Sequence, residues 1–226
     1  MTHFCLVHGS AQKSDVWALL TPELRQRGHG VVAVDLPRDG PESASRYAEV
    51  VADSLDGVDD EVIAVAHSAS GLILPSVAEF RTLRRLVFLT AAIPRLGISF
   101  LDQFQAEREV MFNPEWIGQD PANDDQAALD FLFHDCEPDV ARWALTTRTS
   151  WYPDGLYKEV SPLTSWPDVP SSYIVCTEDR TFRSEWCRGA ARELLGVEAI
   201  ALPGGHCPQV SRPRRLAEVL STLAAV

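Results

Sequence analysis

The stretch Val65-Ala66-His67-Ser68-Ala69-Ser70-Gly71 runs an apolar segment into a turn of small residues with a serine at its apex. A serine hydroxyl is a weak nucleophile until a neighbouring base takes its proton, after which it can attack a carbonyl carbon. Small residues suit such a turn, because a strained apex brings the incoming strand and the outgoing helix close together. Ala66 and Ser70 stand here where a G-x-S-x-G pattern has glycine. Taken alone, a loop serine is more often a turn or cap residue. Ser68 gains weight from a histidine and an acid that follow in the chain order such sites use.

The histidine is His206, in Pro203-Gly204-Gly205-His206-Cys207-Pro208. An imidazole titrates near neutrality, so it can accept the serine proton and return it to the leaving group. His8 and His67 lie beside turns and read as structural donors, while His3, His29 and His134 read as surface or packing residues. The acid that would orient the imidazole is Asp179, a short loop beyond the segment 173–176; Glu178 is its adjacent competitor, and a solvated loop carboxylate is the plain alternative. No acid directly follows the segment 86–90, the other place where one could stand. Stabilising the oxyanion takes two backbone N–H groups: Ala69, after the nucleophile, would supply one, and Ser10, after His8-Gly9, is expected to supply the other.

These residues need a scaffold, and the apolar pattern predicts one. Short continuous apolar runs at 4–7, 31–34, 62–66, 86–90, 173–176 and 198–202 read as strands buried on both faces. Helical spacing separates them. Ser14 is expected to cap a helix that Pro22 kinks or splits and Gly28 ends; further helices are expected over 47–55, from about residue 70, and over 184–195. Ser211 is expected to cap a last helix with Pro213 in its first turn. The alternation predicts an α/β fold, a doubly wound, mostly parallel sheet in one domain over 1–226. The region 95–168 carries no convincing strand but many aromatics, with helical patterns at 125–133 and 138–147, and is expected to be a small helical cap. Most of its aromatics are expected to pack the cap itself.

Composition excludes several classes. A net charge of -12 repels phosphate backbones and anionic lipid, so neither nucleic acid nor membrane is an expected partner. Arg81, Arg84 and Arg85 read as a solvated helix end. Five cysteines without a C-x-x-C pair argue against a disulfide framework and a zinc site, and point to reduced thiols in a cytoplasmic protein. The run 4–7 is too short for a signal-peptide core, and no stretch approaches the ~18 apolar residues of a membrane span. No metal or cofactor is expected, and the oligomeric state, a homodimer included, stays open.

Together, strand-His8-Gly9-Ser10, Asp35-Leu36-Pro37, His67-Ser68-Ala69-Ser70-Gly71, Thr177-Glu178-Asp179 and Gly205-His206 resemble the α/β-hydrolase superfamily over nearly the whole chain. The short N-terminus and small cap are similar to the plant methylesterase and hydroxynitrile lyase group. The resemblance implies Ser68, His206 and Asp179 as a triad, Ser10 and Ala69 as oxyanion donors, and a small apolar or aromatic carboxylic ester, lactone or thioester as substrate. The lyases of that group carry lysine directly after the histidine, where Cys207 stands, so lyase activity is disfavoured. A serine nucleophile separates the chain from relatives that attack with aspartate or cysteine. His67-Ser68-Ala69-Ser70 and His206-Cys207-Pro208-Gln209-Val210-Ser211 are also similar to bacterial stress-regulator hydrolases and strigolactone receptors. A ligand- and partner-binding signalling role is therefore the alternative class, with a triad-bearing acyltransferase or tailoring enzyme a third.

Overall fold

The computed structural model describes residues 1–40 and 42–226. Among them, strands β1 (Thr2–Val7), β2 (Gly30–Val34), β3 (Glu61–His67), β4 (Arg85–Leu89), β5 (Ser171–Cys176) and β6 (Ile200–Leu202) form one sheet in the order β2-β1-β3-β4-β5-β6. Every pairing is parallel. The last strand begins two residues later than the apolar pattern indicates.

Because side chains alternate along a strand, the continuous apolar runs feed two cores at once. Cys5, Val7, Ala64, Ala66, Phe88 and Val175 enter one core with Tyr47, Val51, Leu74, Val77 and Cys187. Phe4, Leu6, Ile63, Val65, Val87 and Ile174 enter the other with Leu20, Leu24, Leu216 and Leu220. Helices α1 (Leu20–Gln26) and α10 (Pro213–Ala224) thus cover one face, and α2 (Ala44–Asp53), α3 (Leu74–Phe80) and α8 (Ser184–Leu195) the other.

Between β4 and β5 lie α4 (Phe100–Met111), α5 (Asp125–Ala127), α6 (Pro138–Leu145) and α7 (Asp154–Lys158), with a π-helical turn over Ala128–Leu132. This insertion occupies the region expected to form a cap; isolated antiparallel bridges from Gln12 to Arg148 and from Phe112 to Phe182 staple it to the rest of the fold, and one from Ser99 to Val160 ties its two ends together. None of the helices among the described residues is long and apolar enough to cross a membrane.

Two expected caps are corrected. Ser14 is the first residue of a 3-10 turn, Ser14–Trp17, rather than a helix cap; its backbone N–H donates to Asp35 Oδ1 at 3.1 Å. The split expected near Pro22 falls before it, so that Pro22 occupies the first turn of α1, where its missing N–H costs nothing. Ser211 ends a separate short helix, α9 (Pro208–Ser211), and no side chain caps α10. Pro213 explains the break, since its ring and missing N–H stop a helix from running through it from α9.

Candidate active site

The chain passes from β1 to β2 on one side and then crosses to β3 on the other, so the crevice outside the carboxyl ends of β1 and β3 is where such a sheet opens. Ser10 follows β1 and Ser68 follows β3. Ser68 sits at φ +55, a left-handed conformation that non-glycine residues rarely adopt. Its neighbours explain how the turn is tolerated. A Cβ on Gly71 would lie 2.0 Å from the Ala92 carbonyl oxygen, and one on Gly9 would lie 2.8 Å from Ser68 Cβ. Only residues without a side chain let these backbones approach. Ser70, in a glycine position of the motif, uses its hydroxyl locally: Oγ lies 3.0 Å from Val7 O and 2.8 Å from His67 O, joining the ends of β1 and β3.

Ser68 Oγ lies 3.1 Å from His206 Nε2, and His206 Nδ1 lies 2.8 Å from Asp179 Oδ2. The histidine and aspartate side chains are 2% and 1% exposed. Asp179, not Glu178, meets the imidazole, and Glu178 is exposed. The Asp179 carboxylate is saturated: Oδ1 accepts the N–H groups of Thr181 and Phe182 at 2.6 and 3.1 Å, and Oδ2 accepts Thr90 Oγ1 at 2.5 Å besides His206. Two loop N–H groups of this kind fix the direction in which the carboxylate faces the imidazole.

A buried layer supports His206 from below. His67 Nε2–H donates to the His206 carbonyl at 2.8 Å, and its Nδ1 faces the side-chain amides of Gln12 and Gln209 at 3.1 and 3.4 Å. Burial, and then the neighbouring His206, hold the His67 imidazole well below its usual titration range, so it works as a neutral donor. Cys207 receives Gln12 Nε2–H at 3.3 Å, and burial pushes its thiol well above the usual range. His8 is a second internal tie, accepting Leu36 N–H at Nε2 and bonding Gly9 O through Nδ1, which fixes the exits of β1 and β2.

Ser68, Ser10 and Ala69 open onto a cavity of about 300 Å³ whose walls include Phe100, Phe104, Phe112, Trp116 and Phe182. Its polar lining comes from serine, threonine and tyrosine hydroxyls, and none of the described residues lining it carries a charge. Sequence patterns separate neither Phe182 and Thr181 from the loop around Asp179 nor the wall-forming aromatics from those that pack the cap. The Thr90–Asp179 hydrogen bond is announced by no motif at all. The 150s loop fixes the Ser10 segment by main-chain bonds, Ala11 N–H to Trp151 O at 2.9 Å and Thr149 N–H to Ala11 O at 3.0 Å.

An all-parallel sheet with a serine turn, a histidine loop and a cap inserted after β4 defines an α/β hydrolase, and residues 6–219 match the model of the alpha/beta hydrolase family. The chain belongs to that family. It is 29% identical to the probable hydrolase R7 of Phoma sp., over 98% of this chain and 97% of that protein. It is 27% identical to methylesterase 1 of Arabidopsis thaliana, over 98% of this chain and 95% of that protein. In fold it resembles the crystal structure of polyneuridine aldehyde esterase, with a TM-score of 0.80, 21% identity and 99% of each chain covered.

Proposed function

We propose that this chain is a serine hydrolase of small, uncharged, apolar or aromatic carboxylic esters, with residues 1–226 forming one catalytic domain capped by 95–168. The observation that carries the reading is the continuous relay from Ser68 Oγ through His206 to Asp179, at 3.1 and 2.8 Å, opening into an aromatic cavity without charge. Ser68 Oγ attacks the carbonyl carbon as its proton passes to His206 Nε2. Asp179 holds the imidazole in the Nδ1–H tautomer and stabilises the imidazolium. The N–H groups of Ser10 and Ala69 receive the oxyanion. Collapse expels the alcohol, which takes the proton from His206, and leaves an acyl group on Ser68. Water then attacks the acyl carbon, giving its proton to His206, and Ser68 leaves with that proton as the carboxylic acid is released.

Methylesterase activity in a relative's name supports the ester class. Cyanohydrin cleavage is disfavoured, because Cys207 is a buried, protonated thiol and supplies no cation to a departing cyanide. The test is labelling with a fluorophosphonate followed by peptide mapping, together with phenyl acetate hydrolysis by Ser68→Ala. Label on Ser68 and loss of hydrolysis in the variant are expected. Label on another serine, or full activity in Ser68→Ala, removes the assignment.

A further inference from the structure

The turn that leaves β4 holds its residue in a conformation that the residue type resists. Thr90 is fully buried and sits at φ +38, where a β-branched side chain is an outlier. The surrounding backbone enforces it. Thr90 N–H donates to Ile174 O at 2.7 Å, Ala91 N–H to the Tyr173 hydroxyl at 3.0 Å, and Ala92 N–H to Ser68 O at 3.0 Å. Strain that persists under such constraint points to function, and the consequence here is local and specific. The conformation delivers Thr90 Oγ1 to Asp179 Oδ2 at 2.5 Å, the same oxygen that accepts His206 Nδ1–H at 2.8 Å. Two backbone N–H groups hold the other oxygen.

We propose that Thr90 is a positioning residue for the acid of the site: its hydroxyl, presented by the strained turn, fixes the Asp179 carboxylate and shares the oxygen that His206 uses. The proposal rests on the Ser68–His206–Asp179 reading above. A hydroxyl donating to Oδ2 draws charge away from the bond to the imidazole. Without it, the carboxylate holds the imidazolium more tightly, and His206 keeps its proton to higher pH. Only the neutral imidazole can accept the serine proton, so the acid limb of the rate profile moves upward. One hydrogen bond to a carboxylate is worth about half to one pH unit, and its loss should slow turnover by about tenfold at most.

The groups facing the pair from the surrounding elements include a second imidazole, His134, whose Nε2 lies 3.0 Å from Glu178 O, and following the His206 proton itself keeps the acid limb apart from it. His67 at the end of β3 is held neutral by burial; Tyr173 and Cys176 on β5, Cys187 on α8 and Cys207 beside His206 are held protonated. The Asp135 carboxylate accepts Gly205 N–H at 2.9 Å. Glu178 and Arg180 flank Asp179 in the chain but are exposed, and Arg180 donates to Asp130 O.

The test measures kcat and KM for phenyl acetate against pH in Thr90→Val, Thr90→Ala and Thr90→Ser, and follows the low-field His206 Nδ1–H proton by NMR, with Asp179→Asn run in parallel. Thr90→Ala relieves the β-branched strain and serves if Thr90→Val does not fold. We expect the valine and alanine variants to move the acid limb and the proton's titration upward with KM unchanged, and Thr90→Ser to restore the original profile. If valine and alanine profiles superimpose on the parent, or if serine shifts as they do, while Asp179→Asn loses rate, the role of Thr90 is wrong and the triad stands. If Asp179→Asn keeps full rate, the triad reading itself fails.

Discussion

The sheet side and the cap side of the site are built on different principles. On the sheet side, positions are over-determined: Ser68 and Thr90 occupy left-handed conformations, two glycines leave no room for a Cβ, and the Asp179 carboxylate has four donors. On the cap side, aromatic rings meet mostly ring to ring, as in Phe104 with Phe112, Phe112 with Phe182 and Trp116 with Phe131. Hydrogen bonds are directional and fix a geometry to tenths of an ångström, whereas apolar contact is non-directional and fixes mainly volume. Under the proposed function, this division puts the chemistry on the sheet and the selection among substrates on the cap.

Removing the base tests that division most severely. His206→Ala should lower kcat for phenyl acetate by about four to six orders of magnitude while the thermal midpoint moves by only a few degrees, since a loop imidazole serves the reaction more than the core. A comparable collapse in both quantities would mean that His206 is a packing residue.

Gly71→Ala should break the sheet side through its backbone. Its new Cβ, built at 2.0 Å from a main-chain oxygen, can be accommodated only by shifting the turn against β4, at a cost of about 3 kcal/mol. Denaturant titration and activity should fall together; a variant of parental stability would show that the approach of Gly71 to Ala92 is dispensable.

A cap substitution should behave differently. Phe104→Ala removes wall area without touching the relay, so KM for an aryl ester should rise about tenfold while kcat stays within about twofold. An equal loss in kcat would show that the cap also aligns the reacting carbonyl.

The smallest effect sharpens the comparison from beneath the site. His67 titrates below its ordinary 6.5 in the folded chain, so the unfolded chain binds the extra proton first as pH falls. The stability this imidazole protects is present above about pH 6.5 and is lost below it, at no more than ~1.4 kcal/mol per pH unit. Thermal melts from pH 7 to 5 should show a shallower decline in His67→Gln than in the parent. Identical slopes would assign the acid sensitivity to other groups.

The elements were legible in the sequence because each is a local pattern. Continuous apolar runs gave all six strands to within two residues at their starts and ends, and the helical spacing at 184–195 matches α8, which Gly196 ends at φ +67. Within the insertion between β4 and β5, the helical pattern at 138–147 matches α6 to within two residues, but the other parts were not legible. Phe100–Met111 mixes its exposed and apolar residues too evenly to announce a face, and 125–133 divides between α5 and a π turn. Single-residue caps failed at Ser14 and Ser211, where a distant carboxylate and a proline decided the outcome.

What the sequence by itself determined is the set of groups: a serine at a small-residue turn after one strand, a histidine in the loop after the last, an acid after the strand between them. Each follows from residue type and the nearest few neighbours. Tertiary structure alone decided which atoms meet. His206 reaches Ser68 across 138 residues and Asp179 across 27, and Thr90 reaches Asp179 across 89. Those distances depend on how parallel strands register and on where their exits point, quantities that no local period encodes. Glu178 and Asp179 are adjacent in the chain, and their separation into a solvent-facing and a buried carboxylate depends on the backbone direction at the end of β5.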